Sequence, residues 1–337
     1  MHFPRSLTPF AQARFAALAA LAVALASPTV PIAGPLAAQQ RDVAQTPVNI
    51  IRLTENTAML VGAGGNIGVS IGTDGTFLVD DQFAPLTPKI RAILDSVDKR
   101  SIRFVLNTHW HGDHTGGNEN LGKAGALIVA HENVRRRMSV GQFIRQLGDT
   151  VAPSPSAALP VVTFTDAVTF HLNDDEIHAF RVPPAHTDGD AIVHFRKANV
   201  IHMGDTYFNG SYPFIDLSSG GSLEGMVHAA DTAIALSNES TRVIPGHGAL
   251  SNKGELTAYR DMLAAIRDRI RKQVVAGKKL DAVLASKPTQ EWDETWGKGF
   301  IKPAQFVETA YTSLAADVAA AKARPAARKP ASKTGKP

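Results

Sequence analysis

The sequence predicts an α+β fold, a four-layer αββα sandwich in which two β-sheets pack face to face between outer helices. Three features of its 337 residues lead there. The hydrophobic pattern switches repeatedly between strand and helix periods. The strand-like runs, separated by Gly and Asp turns, fall into two blocks. Each block is accompanied by amphipathic helices, and two sheets that share one core leave only their outer faces for helices to cover.

In chain order, residues 48–53, 58–62, 67–71 and 76–79 form the four strands of a meander, punctuated by turns at Glu55-Asn56, Gly64-Gly65 and Asp74-Gly75. A helix is expected over 88–97, where Ile90, Ile93, Leu94 and Val97 recur on one face. A strand over 102–106 then runs into His109-Trp110-His111-Gly112-Asp113-His114, which is too polar and too Gly-punctuated to continue it. The second block starts with a strand over 126–130, a helix over 131–145 and a Pro-rich connection over 153–160. Strands are expected over 162–164, 168–172, 177–182, 191–195 and 200–203. A long basic amphipathic helix over 255–275 and another over 303–316 complete the outer layer.

Composition narrows the chemistry. With 44% hydrophobic and 20% charged residues the chain is globular, and with no cysteine it has neither disulfides, thiolate metal sites, nor a cysteine nucleophile. Any metal must be held by His and carboxylate. Residues 1–38 have the pattern of a secretory signal: Arg5 and Arg14, an apolar run over 15–26, then small residues and prolines, with cleavage expected after Ala38. That run is shorter than the roughly 20 residues needed to span a bilayer, so the expected location is periplasmic or secreted, without stable membrane insertion. Residues 39–317 make one domain, and 318–337, rich in Ala, Lys, Arg and Pro, are expected to be a disordered basic tail. The net charge of +4 sits in the two ends and leaves about −4 for residues 39–317, which argues against a nucleic-acid partner. A small-molecule substrate and a monomer are expected.

The strongest chemical signal is His109-x-His111-x-Asp113-His114. In an extended segment His109 and His111 point to the same side and can share one ion, while Asp113 and His114 can face a second. His186 in Ala185-His186-Thr187, Asp205 in Gly204-Asp205-Thr206 and His247 in Pro245-Gly246-His247-Gly248 each lie at a strand end beside Gly or Pro, where the chain can turn to bring ligands together. Nitrogen and oxygen donors without sulfur suit two Zn²⁺ ions and also accommodate Mn or Fe. Trp110, Tyr207, Phe208, Tyr212 and Phe214 are candidates to line an apolar substrate mouth. Four of the remaining histidines, His171, His178, His194 and His202, fall in strand-like runs and are ordinary surface or core residues.

Residues 108–117 together with Ala185-His186-Thr187, Gly204-Asp205-Thr206, Pro245-Gly246-His247-Gly248 and the strand-terminal Asp80 in Leu78-Val79-Asp80 resemble the motifs of the metallo-β-lactamase superfamily. The resemblance, over about 48–250, implies the αββα metallo-β-lactamase sandwich and a di-metal hydrolase. It implies His109, His111 and His186 on one metal, Asp113, His114 and His247 on the other, and Asp205 bridging. The expected reaction is attack of a metal-bound hydroxide on the carbonyl of a cyclic amide, β-lactam-like, or an ester, with Asp113 as the catalytic proton carrier. Asp80 is expected to orient a ligand histidine. The sequence departs from the cysteine-containing β-lactamases: Asp205 stands where they carry Cys, and Phe208 where they carry the lysine that grips the β-lactam carboxylate. The Asp-bridged site instead resembles thioesterases and lactonases of the glyoxalase II type; a mono-iron sulfur dioxygenase-like oxidoreductase is a further alternative.

Overall fold

The structure, a computed structural model, describes residues 43–323. The expected signal over 1–38 and the tail from 324 onward lie outside the described residues. Strands β1 (Asn49–Arg52), β2 (Thr57–Val61), β3 (Ile67–Ser70) and β4 (Thr76–Val79) form the expected antiparallel meander. After helix α1 (Thr87–Val97), β5 (Ile102–Asn107) pairs parallel to β4; β6 (Leu127–His131) and β9 (Val162–Phe164) extend the sheet in parallel to seven strands. The second sheet has six strands: β10 (Ala167–Leu172), β11 (Asp175–Arg181), β12 (Ala191–Phe195), β13 (Val200–His202), β14 (Arg242–Ile244) and β15 (Ser251–Asn252). Only β13 and β14 are parallel there.

Period-2 alternation sends successive side chains into different layers. Phe77 and Val79 of β4, Leu106 of β5, Val193 of β12 and Ile244 of β14 fill the space between the sheets. Their neighbours Leu78 and Val105 face outward onto Leu86, Ile90 and Leu94 at and before α1. Ile192, Ile201 and Val243 face outward on the opposite side, where helices α5 (Leu223–Leu236), α6 (Lys253–Val275) and α9 (Pro303–Ala323) supply Met226, Leu263, Ile266, Phe306 and Leu314. The result is helix, sheet, sheet, helix. No described helix is long and apolar enough to cross a membrane.

Three expectations are corrected. The helix expected over 131–145 is only α4 (Glu132–Met138), capped by His131 Nδ1 accepting from Asn133 N. Gly141 follows, and the chain turns into a hairpin of β7 (Gln142–Ile144) and β8 (Asp149–Val151), burying Ile144 beside Trp110. Residues 318–323, expected to begin the tail, continue α9, because the alanines there are the best helix formers. The short β14 and β15 carry no strong periodic signal and were not expected, while His228, read as helical, lies in α5. Further short helices are α2 (Gly112–Thr115) and α3 (Asn118–Lys123) after β5, and α7 (Leu280–Ala285) and α8 (Asp293–Trp296) before α9.

Two buried asparagines lock the sheets to one another. At one end Asn173 Nδ2 donates to Ser70 Oγ and the Gly75 carbonyl. At the other, Asn66 Nδ2 donates to the carbonyls of Pro245 (2.9 Å) and Gly248 (3.0 Å), its N–H donates to Gly246, and its carbonyl faces His202 Nε2 at 3.0 Å. Removing the amide would strand the buried Pro245 carbonyl where water is scarce. Asn66→Ala is therefore expected to cost about 1–3 kcal/mol, read as a lowered denaturant midpoint.

Candidate metal centre

The parallel pairing of β4 with β5 and of β13 with β14 puts their C-terminal ends on common edges. The loops that follow carry Asp80, then 108–114, then Asp205 and His247; the loop after β11 carries His186. The structure brings all seven expected ligand residues together as two groups: His109, His111, His186 and Asp205, and Asp113, His114 and His247, the donor atoms within each lying within 4.8 Å of one another. Two glycines permit this closeness. A Cβ at Gly65, in the β2–β3 turn, would collide with the His114 ring, and one at Gly246 would collide with the Asp205 carboxylate.

Each of four rings is held from outside by a group that fixes which nitrogen faces inward. His186 Nδ1 donates to the Phe214 carbonyl at 2.7 Å, and His111 Nε2 donates to the Asp216 carboxylate at 3.1 Å. His114 Nδ1 donates to Asp80 Oδ2 at 2.8 Å. His109 Nδ1 donates to Thr108 Oγ1 at 3.0 Å, whose hydroxyl donates onward to Asp80 Oδ2. Their inward nitrogens are thus free to present lone pairs, and they converge: His186 Nε2 lies 2.8 Å from His111 Nδ1, and His114 Nε2 lies 3.4 Å from His247 Nε2. Asp80, buried with φ of 65°, does more than cap a turn, since its two oxygens hold Thr108 N, Thr108 Oγ1 and His114.

Asp205 lies between the groups. Its Oδ2 faces His186 Nε2 at 3.5 Å and His109 Nε2 at 3.9 Å, while Oδ1 faces His114 Nε2 at 3.0 Å and His247 Nε2 at 3.4 Å. His109 Nε2 and Asp205 Oδ1 are buried yet make no hydrogen bond. Unpartnered buried donor atoms, all nitrogen or oxygen and arranged around shared volumes, fit divalent cations.

The electrostatics differ between the groups. Burial, reinforced by neighbouring imidazoles, pushes His109 well below the ordinary range and His186 down to about 4. Burial also opposes charge on His114, but Asp205, Asp113 and Asp80 outweigh it and raise its pKa well above normal; His247 is raised to about 10, against burial, mainly by Asp205 and Asp113. Burial likewise works against the carboxylates, yet His114 and His247 hold Asp113 at about 2 and, foremost among the surrounding histidines, keep Asp205 well below normal. His114 and His247 thus favour positive charge beside Asp113 and Asp205, whereas His109 and His186 are held neutral.

The five expected mouth residues divide. Phe208 stacks on His247, with ring centroids 5.2 Å apart, and Phe214 lies 5.9 Å from His111 and 5.7 Å from His186. Trp110, Tyr207 and Tyr212 are instead core residues. Trp110 is buried behind the site: its ring lies 4.7 Å from the His111 ring, packs on Val134, Met138 and Ile144, and donates from Nε1 to Ser219 Oγ. Tyr207 packs on Tyr259 and pairs with Ser251, while Tyr212 stacks on Phe306 and donates to Asp293. Sequence reasoning missed Asp216, which accepts from His111 and from Ser219 Oγ and also caps the turn at Ser218 and Ser219. It missed Gln82 as well, whose Nε2 donates to the Gly65 carbonyl at 2.7 Å and ties the β2–β3 turn to the site. His202 is a satisfied core histidine, as expected.

Solved structures with this architecture include a metallo-β-lactamase from Pontibacter korlensis (TM-score 0.53, 16% identity, covering 64% of this chain and 99% of that one). Another is the DIM-1 metallo-β-lactamase (TM-score 0.52, 18% identity, 65% and 99%). At such identities the likeness is one of fold. In sequence, the chain is similar to hydroxyacylglutathione hydrolases of Nitrosococcus oceani, 29% identical over 161 residues (48% of this chain, 54% of that one), and Maricaulis maris, 30% over 168 residues (48% and 55%). The chain spans about half the length of these curated relatives. The profile of the metallo-β-lactamase superfamily matches residues 42–247, more than half of the sequence and all seven residues of the paired cluster. The chain belongs to the metallo-β-lactamase superfamily.

Proposed function

We propose that this protein is a metal-dependent hydrolase of esters or thioesters, with a metal site of the hydroxyacylglutathione hydrolase kind, acting on a small molecule in the periplasm or outside the cell. The observation that carries it is Asp205, which offers one oxygen to each group of ligands. The curated relatives support the same reading, since those compared above are named hydroxyacylglutathione hydrolases. A β-lactam remains the second reading, supported by the fold of the β-lactamases compared above; Phe208 beside His247 offers no ion pair to a β-lactam carboxylate.

His109, His111 and His186 would hold one ion, Asp113, His114 and His247 the other, and Asp205 both. Two divalent cations there, zinc by preference, would supply Lewis acidity that lowers the pKa of a water to about 7 and polarises a carbonyl. Asp113 is the accessible carboxylate of the cluster, its side chain 26% exposed against 5% for Asp205. It is ionised at neutral pH, its pKa held near 2 by His114 and His247, and its exposed position lets it orient the attacking water and relay a proton toward the leaving group. Asp80 and Asp216 keep His114 and His111 in the orientation that aims a nitrogen inward. Phe208 and Phe214 flank the cluster and exclude water from the apolar part of a substrate.

The test is hydrolysis by metal-replete protein of a glutathione thioester, a lactone, an aryl ester, a penicillin, a cephalosporin and a carbapenem, with metal content measured on the same sample. Thioester, lactone or ester turnover, abolished by a chelator, is expected with two ions per chain. A preference for β-lactams would establish the second reading, and no turnover of any compound would sink both. Asp113→Asn should retain the folded circular-dichroism spectrum and lose about 10²–10⁴-fold in kcat. Asp216→Asn should weaken metal binding by about 10–100-fold at the His109, His111 and His186 group, seen as a second, weaker phase in a zinc titration.

A further inference from the structure

Beside the histidine cluster lies a groove of about 840 Å³. Its walls come from the turn of the β7–β8 hairpin, from the segment 213–222, and from α9 with the residues just before it. The hairpin turn is pinned to that segment: Gln146 Nε2 donates to the Ile215 carbonyl, and Arg145 N donates to Ser218 Oγ at 3.0 Å. Phe214 belongs to both places. It lines the groove, its ring lies within 6 Å of the His111 and His186 rings, and its carbonyl holds His186. A group seated in the groove is separated from the cluster by about one side chain.

The lining has a definite character. Phe300 and Leu147 both line the groove and are 73% and 45% exposed, large apolar surface that folding leaves uncovered. Two carboxylates of α9, Glu308 and Asp317, stand against a single guanidinium, Arg145. Glutathione carries two carboxylates and one ammonium, and a site built to hold it would present a surplus of cations. This groove has a surplus of anions.

We propose that the groove receives one arm of the ester or thioester substrate, and that this arm is uncharged and in part apolar rather than glutathionyl. The inference rests on the hydrolase reading and sets its substrate class. It is tested on the metal-loaded full chain by comparing kcat/KM for a neutral phenylalkyl ester and for a glutathione thioester, in the parent protein and in the surface variants Glu308→Lys and Phe300→Ser. The parent should favour the neutral ester by about tenfold. Glu308→Lys should move the ratio toward the glutathione thioester by about fivefold, an effect that fades at high salt. Phe300→Ser should raise KM for the neutral ester more than it lowers kcat. Cleavage of both substrates with the same ratio in all three proteins would overturn the assignment while leaving the hydrolase intact. Calorimetric titration of metal-free protein with 4-phenylbutan-1-ol reads the groove without turnover. Saturable binding weakened by Phe300→Ser supports the site, and absent binding, or binding indifferent to that change, overturns it even if no substrate is cleaved.

Discussion

The convergence of imidazole nitrogens and carboxylate oxygens in one buried volume is the constraint on which the rest of this structure depends. Such an arrangement is repulsive and poorly solvated by itself, and it persists only if positive charge enters or if the scaffold forbids the side chains to turn away. The scaffold forbids it. Phe214, Asp216, Asp80 and Thr108 each occupy the outer nitrogen of a ring, so rotating a ligand out of the cluster would break a buried hydrogen bond. The residues around the cluster matter as much as those in it.

The sandwich makes this clamping affordable by being rigid where the clamps attach. Asp80 and Thr108 follow adjacent parallel strands, so the carboxylate reaches across one strand spacing to the next loop. The indole of Trp110 donates to Ser219, whose hydroxyl donates to Asp216, which accepts from His111. That chain of donors joins a small hydrophobic cluster beside α4 to a ligand more than a hundred residues from Asp216. Asn66 performs the equivalent role between the sheets, holding the segment of His247 against the start of β3.

Most of the fold was legible because its strands are short apolar or alternating runs separated by Gly or Asp turns. The cluster was legible because His109, His111, Asp113 and His114 lie close in sequence and the other three ligands sit beside Gly or Pro at strand ends. What was not legible has physical reasons. Trp110 lies between two ligands and its ring reaches His111, but Val134, Met138 and Ile144 bury it from behind, and nothing in the local sequence shows that this cluster closes over it. Tyr207 and Tyr212 follow Asp205 but lie under the two long C-terminal helices, which were expected, on Tyr259 and Phe306, contacts that no spacing in the sequence reveals. The arginines of α4 resemble the exposed face of a longer helix, and nothing local shows that Ile144 is needed in the core. Asp216 acts on a partner 105 positions away, a distance at which no spacing rule operates.

The shared carboxylate has a thermodynamic consequence. With Asp205 offering an oxygen to each side, neither group is complete without it, and charge neutralised in one is no longer fully present for the other. Occupancy of the two groups is therefore linked: whatever factor the first ion imposes on the affinity for the second, the second imposes on the first. The cluster behaves as one ligand-binding unit with two steps, and how far it fills at a given free-metal concentration is a property of the pair.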